Sequence, residues 1–206
     1  MLIVPPKRPQ IARIECERIV RAHGIEGTAI VGVRGYYQES MGVPGLNDRG
    51  MYDDCIAVVS PWAFAAFNAN TDPSVFKKGV ASLRPGVWRY RVGVHGLSRP
   101  KPLRYPALVQ AAAVTVDRDG GKSESGMFGM NVHKGGLFGT SSLGCQTVYR
   151  KQWDEFFKLV KGVMLRAKAD EIQYVLAYKM LDESLHPGDK IEVRRGKEGI
   201  TFHRFW

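Results

Sequence analysis

The sequence predicts a mainly β domain with a helix at each flank of the strand region. Three observations carry that expectation. Between residues 28 and 132, apolar, aromatic and β-branched segments alternate with clusters of glycine, proline, asparagine and aspartate, the pattern of strands and turns. Apolar residues at helical spacing stand to either side of that run, in 9–23 and 150–169. No internal repeat, low-complexity tract or linker breaks the 206 residues, so the chain reads as a single domain over 1–206, with an N-terminal helical segment in 1–24. Strand counting alone allows a β-rich sandwich or a barrel.

The elements follow in order. Residues 9–23 place Ala12, Cys16, Ile19, Val20 and His23 near one helical face with Gly24 as a stop, which makes Cys16 a packed core thiol. Strands are expected at 28–33, 55–59, 88–94, 107–116 and 127–132, and Asp119-Gly120-Gly121 reads as a turn between the last two. Residues 150–169 form the clearest helix. Trp153, Phe156, Phe157, Val160 and Met164 recur at helical spacing as a core stripe, and Lys158, Lys161, Arg166 and Lys168 fall where cations suit the helix dipole. Residues 173–180 read as a strand because of Tyr174, Val175 and Tyr178. A terminal hairpin joins 190–195 to 200–203 around Gly196-Lys197-Glu198-Gly199.

Composition narrows the class. Hydrophobic residues at 44% and charged residues at 24% suit a globular chain with a proper core. No apolar run approaches membrane-spanning length, so membrane insertion is not expected. The first nine residues are too short in their apolar part and too proline-rich for a secretory signal, so synthesis in the cytoplasm without a signal peptide is expected. Cysteines at 16, 55 and 145 are odd in number and lack Cys-x-x-Cys spacing, which indicates neither a disulfide framework nor a zinc site. The net charge of +10 favours anionic surfaces. Lysine and arginine are spread along the chain, without basic runs interleaved with stacking aromatics, so nucleic acid is not the expected partner.

Chemistry is readable in one place. Phe128-Gly129-Met130-Asn131-Val132-His133-Lys134-Gly135-Gly136 is followed at once by Leu137-Phe138-Gly139-Thr140-Ser141-Ser142-Leu143-Gly144-Cys145. A cysteine attacks as its thiolate and needs a base or a positive environment to lose its proton. His133 titrates in the working range and can supply that base. The residues between the two let the chain leave a strand, turn back and bring the side chains together. Gly144 permits close backbone approach where amide N–H groups could hold an oxyanion.

His-x-Gly followed by Ser-x-Gly-Cys resembles the active-site signature of the L,D-transpeptidase catalytic domain, the YkuD-like family, over residues 128–147. The family acts on peptidoglycan stem peptides through a cysteine thioester. The resemblance implies a β-rich sandwich, with Cys145 as nucleophile and His133 as base. It also implies a carbonyl at Lys134 or Gly135 orienting the imidazole, and an oxyanion hole of the Leu143, Gly144 and Cys145 amides. Leu143 stands where the family often has histidine, and Thr147 where it usually has arginine or asparagine. The His-to-Cys spacing is short, and Gly-Cys-Gln-Thr with Gln152-Trp153 beyond it resembles phage and prophage versions. No cofactor and no metal are implied.

Other candidates accompany this pair. His95, in Val92-Gly93-Val94-His95-Gly96, has the same strand-then-glycine texture and is either a second cleft residue or the base itself. Arg34, Arg49, Arg91 and Arg150 are candidate partners for substrate carboxylates. The polar stretches 47–54 and 68–73 read as turns and rim, without calcium-loop spacing. The expected activity is a peptidoglycan stem-peptide hydrolase, an L,D-carboxypeptidase or endopeptidase of lysin or effector type that reaches the wall after release or export by another system. Rival readings are a crosslinking L,D-transpeptidase, a cysteine amidohydrolase on another substrate, and a basic wall- or nucleic-acid-binding module whose thiol is structural.

Overall fold

The computed structural model describes residues 3–43 and 48–179 in full and the backbone of 190–196 and 199–205. In chain order the strands are β1 Ala29–Arg34, β2 Asp54–Ser60, β3 Ala63–Asn70, β4 Ala81–Leu83, β5 Gly86–His95, β6 Tyr105–Gln110, β7 Val114–Arg118, β8 Ser123–Gly126, β9 Val132–Lys134, β10 Gln146–Val148, β11 Glu171–Tyr178, β12 Lys190–Gly196 and β13 Gly199–Phe205. Helix α1 spans Arg13–Ala22 and α2 spans Trp153–Arg166. Eight strands close a barrel in the order β1-β11-β5-β6-β9-β10-β3-β2, so the barrel alternative holds and not the open sandwich. The pairs β1–β11 and β9–β10 are parallel, and the other barrel pairs are antiparallel. Strands β4, β7 and β8 form a separate sheet, and β12–β13 form the terminal hairpin.

Two-residue alternation sorts the strands into two cores. Ile30, Ile56, Val58, Tyr174 and Leu176 join the cluster that α2 covers with Trp153, Phe156 and Val160. Their sequence neighbours Val31, Cys55, Ala57, Val59 and Val175 join the cluster that α1 covers with Cys16 and Val20. Both faces of β1 and β2 are therefore buried, which is why these strands read as continuous apolar runs. Cys16 is the packed thiol expected of it, while Ala12 and His23 on the same predicted face are exposed.

Three departures from the sequence reading bear on the site. The single strand expected at 107–116 is two, because Gln110 ends β6 by donating its side-chain amide to the carbonyls of Ala112 (2.9 Å) and Gly126 (2.7 Å). The expected strand 127–132 is mostly not ladder. The N–H groups of Phe128 and Met130 donate to Gln110 Oε1, both at 3.1 Å, and pairing starts only at Val132. Polar β10 and alanine-rich β3 carry weak local strand signals and were not foreseen, yet they complete the barrel beside β9. Residues 150–152 are a 3-10 turn leading into α2. Met180, Lys197 and Glu198 of the predicted C-terminal elements, and Asn47 of the predicted turn, lie outside the described residues. Among the described residues, no helix is long and apolar enough to cross a membrane.

Candidate active site

The parallel pair β9–β10 brings the two motif residues into one neighbourhood. Gln146 pairs with Val132 and Thr147 with His133, and the Gln146 N–H donates to the Asn131 carbonyl at 2.9 Å. Cys145 thus stands one residue before β10, level with Asn131. Side chains two apart share a face, so Cys145 and His133 lie on the same side of the ladder, offset by one repeat.

His133 is buried, with 4% of its surface exposed. Its Nδ1 lies 2.9 Å from the Lys134 carbonyl, which can only accept, so Nδ1 carries the proton and Nε2 the lone pair. The Tyr105 hydroxyl donates to the same carbonyl at 3.3 Å, and its oxygen lies 3.1 Å from Nδ1. The orienting carbonyl is that of Lys134. Gly135 is held elsewhere, its N–H donating to Val148 O at 2.9 Å, and the Tyr52 hydroxyl fills the space a Cβ at Gly135 would need.

His95 stacks on His133, with ring centroids 4.0 Å apart and planes 25° from parallel. Its tautomer can be traced through donors. The Gln110 N–H meets one atom of the Asn131 amide at 3.3 Å, which must be the oxygen. The Asn131 nitrogen then donates to His95 Nδ1 at 3.2 Å, leaving the neutral ring's proton on Nε2. The two imidazoles are therefore complementary, one presenting a lone pair and the other an N–H.

The loop before Cys145 is tightly built. Gly144 has φ +138°, and a Cβ there would sit 2.6 Å from the Ala81 carbonyl oxygen, so both backbone region and space demand glycine. The Gly144 N–H donates to Ser142 Oγ at 2.9 Å, and Ser142 Oγ–H donates to the Cys145 carbonyl at 2.6 Å. That engagement removes Gly144 from the expected trio of oxyanion donors. Among the described residues the amide of Leu143 has no hydrogen-bond partner, and that of Cys145 faces only its own sulfur. Buried Gln146 fixes the turn from within, donating to the Gly144 carbonyl at 3.1 Å while its oxygen accepts from Tyr174 at 3.3 Å.

The resting pair is neutral. The Cys145 thiol donates to the Gly129 carbonyl at 3.4 Å, and no thiol–imidazole hydrogen bond forms among the described residues. Burial pushes the thiol up, opposed by the N–H groups of Asn131 and Cys145 and by the charge of Arg99. Burial and the neighbouring His95 bring His133 down to about 4. Burial also lowers His95, with Arg99 acting in the same direction. Both shifts disfavour a separated thiolate–imidazolium pair in the resting site. Catalytic hydrogen bonds that are long without substrate are common.

The remaining sequence candidates separate clearly. Arg34 is buried against Thr71, Asp72 and Asp54, bonding Thr71 O at 2.6 Å, and Arg49 makes a two-pronged pair with Asp119 at 2.6 and 2.8 Å. Both hold the fold and face no substrate. Arg91 lines a groove of about 740 Å³ between β5 and α2, which contains none of Cys145, His133 and His95. Thr147 is fully buried beside His133 in the β9–β10 ladder and is not a recognition rim. Asn68 and Asn70 belong to β3 and Asp54 to β2, not to turns. Among the described residues no cluster of three histidines, cysteines or acids could hold a metal. Gln110, Gln146, Tyr105 and Asn131 were missed, since nothing in a lone glutamine marks it as a loop anchor. Comparison with protein-family models, curated proteins and solved structures finds no match to this chain.

Proposed function

We propose that the protein is a cysteine-dependent hydrolase of peptidoglycan stem peptides, of the L,D-transpeptidase type. The observation that carries the reading is the placement of Cys145 and His133 on one side of the parallel pair β9–β10, with Nδ1 tied to the Lys134 carbonyl and the Nε2 lone pair left as acceptor. In the proposed cycle His133 Nε2 takes the thiol proton as sulfur bonds to the acyl carbon, and the carbonyl electrons move to oxygen. In this reading the Leu143 and Cys145 amides receive that oxyanion. Collapse breaks the C–N bond, the amine leaves with the proton from His133, and water resolves the thioester.

The net charge of +10 would draw the protein to anionic wall material in a salt-dependent way. Mass spectrometry of purified peptidoglycan incubated with the protein tests the reading. Shortened stem peptides, absent with Cys145→Ala, are expected. New crosslinked dimers without trimmed stems would replace hydrolysis by transfer, and unchanged muropeptides would sink the substrate assignment. Thiol labelling gives a parallel check: Cys16 and Cys55 are fully buried with thiols pushed up by burial, so the folded protein should label at Cys145 alone.

A further inference from the structure

The hairpin between β5 and β6 closes over the stacked histidines. Its first paired residues are His95 and Tyr105, and both contact His133. The intervening segment 96–104 contains Arg99, Lys101 and Arg104 and no acidic residue. A turn fixes Arg99 through its N–H to the Gly96 carbonyl at 2.8 Å, and Arg104 Nε donates to the Arg99 carbonyl at 2.8 Å. The Arg99 stem folds back over Gly96, with its Cδ only 3.2 Å from where a Cβ on that glycine would stand. Gly96 directly follows His95, so the guanidinium is carried on the histidine end of the hairpin.

We propose that this hairpin is a carboxylate subsite in which the Arg99 guanidinium holds a free carboxylate of the substrate next to the carbonyl that Cys145 attacks. The proposal deepens the reading of Cys145 and His133 as the reacting pair and rests on it. Arg99 is exposed, and among the described residues its guanidinium has neither a hydrogen-bond nor an ion-pair partner. Arg99 sits against Gly96, next to the His95 that stacks on His133, and its charge acts on Cys145, His133, His95 and Tyr105. Among the other cations, Arg34 and Arg49 are paired internally, Lys134 Nζ lies over the Tyr105 ring at 5.1 Å, and Arg150 stands on the turn before α2, where its charge acts on Tyr105 but not on Cys145 or His133. A planar guanidinium offers two parallel donors that match a carboxylate, a geometry lysine lacks. Exposed Leu97 and Leu103 flank it and give the adjoining part of a peptide an apolar contact.

Alkylation of Cys145 by iodoacetate and by iodoacetamide tests this without any wall substrate. The two reagents differ in charge and share the leaving group, so their rate ratio cancels changes in thiol ionisation. In Arg99→Gln the iodoacetate-to-iodoacetamide ratio should fall about tenfold from wild type, with partial recovery in Arg99→Lys. Lys101→Gln, which removes a cation from the same hairpin, should leave the ratio within about twofold. An unchanged ratio in Arg99→Gln, or an equal fall in Lys101→Gln, would overturn the subsite. A second measurement separates the subsite from the nucleophile: N-acetylalanine and its amide are titrated into Cys145→Ala and followed by NMR shifts. Selective binding of the acid that is lost on adding Arg99→Gln supports the subsite even if Cys145 proves unreactive. No preference for the acid overturns it even if Cys145 reacts.

Discussion

His133 has to accept a proton inside a site that disfavours its charged form. The buried ring at about 4 is ready as a base across the neutral range, but it is a weak one, and its strength is set partly by the ring stacked on it. Removing that ring opens the site to water and takes away the His95 charge, and both changes let His133 rise toward 6.5. His95→Ala should therefore move the acid midpoint of Cys145 alkylation upward from about 4, while the rate at pH 8 changes little. His133→Ala should instead slow alkylation at pH 7 much more than at pH 10, where hydroxide supplies the thiolate. A pH–rate series on the two variants checks both statements. If His95→Ala produced the large neutral-pH loss and His133→Ala did not, the base would be His95. That histidine was visible in the sequence only as a second strand-then-glycine pattern, because stacking joins residues on β5 and β9 that are far apart in the chain.

At the scale of elements, short loops are stapled to the barrel by two buried glutamines and one strained glycine. Gly144→Ala places a Cβ in a positive-φ position and against the Ala81 carbonyl, at a cost of about 2 kcal/mol or more. The strain is confined to the turn before Cys145, so labelling of Cys145 should fall steeply while far-UV circular dichroism keeps the barrel signature. Normal labelling would show that the turn geometry is not needed. Gln110→Leu removes two acceptor and two donor contacts to backbone between residues 112 and 130, a loss of about 2–4 kcal/mol in urea unfolding. Hydrogen exchange of the Phe128 and Met130 amides should accelerate with it. These staples explain what the sequence could and could not disclose. Helices α1 and α2 and the strands β1, β2, β5 and β11 announce themselves by period and by β-branched or aromatic content, because local pattern and burial agree there. The segment 127–131 looks like a strand for the same apolar reasons, but its N–H groups are satisfied by a side chain from β6, which no local pattern reveals. The polar Gln146-Thr147-Val148 becomes a barrel strand through pairing on both sides, a tertiary effect that overrides its weak propensity. His133 and Cys145 were legible because their motif is contiguous, and Arg99 was not, because its relevance depends on a hairpin folding over a distant strand.

The whole molecule carries its titratable groups in a way that makes stability pH-dependent on both sides of neutrality. Asp53 and Asp54 are buried on successive residues of one chain segment, with 1% of each exposed. Burial first, and then repulsion between neighbouring carboxylates, pushes both well above the ordinary carboxylate range, although Arg34 opposes this at Asp54. A raised folded value means that the native state holds these protons more tightly than the unfolded chain. Their contribution is complete below the ordinary carboxylate range, declines as pH rises from there, and is gone once pH passes the raised values. His133 acts with the opposite sign: its depressed value contributes stability above 6.5 that is lost as pH falls through about 4. The two trends oppose each other between about 4 and 6.5, and above 6.5 the aspartates act alone in this set. Thermal melts should therefore show Tm falling from pH 6.5 to pH 8.5. Asp53→Asn keeps a neutral group at a site where one carboxylate oxygen has no hydrogen-bond partner and the other accepts from the Asp48 N–H at 3.2 Å. The variant should gain on wild type as pH rises from the ordinary carboxylate range to about 8, by up to about 1.4 kcal/mol per pH unit, so its advantage is smallest at the acid end of the series. A difference between the two proteins that stays constant from pH 5 to 8.5 would show that Asp53 ionises normally, and that burial alone does not hold its proton.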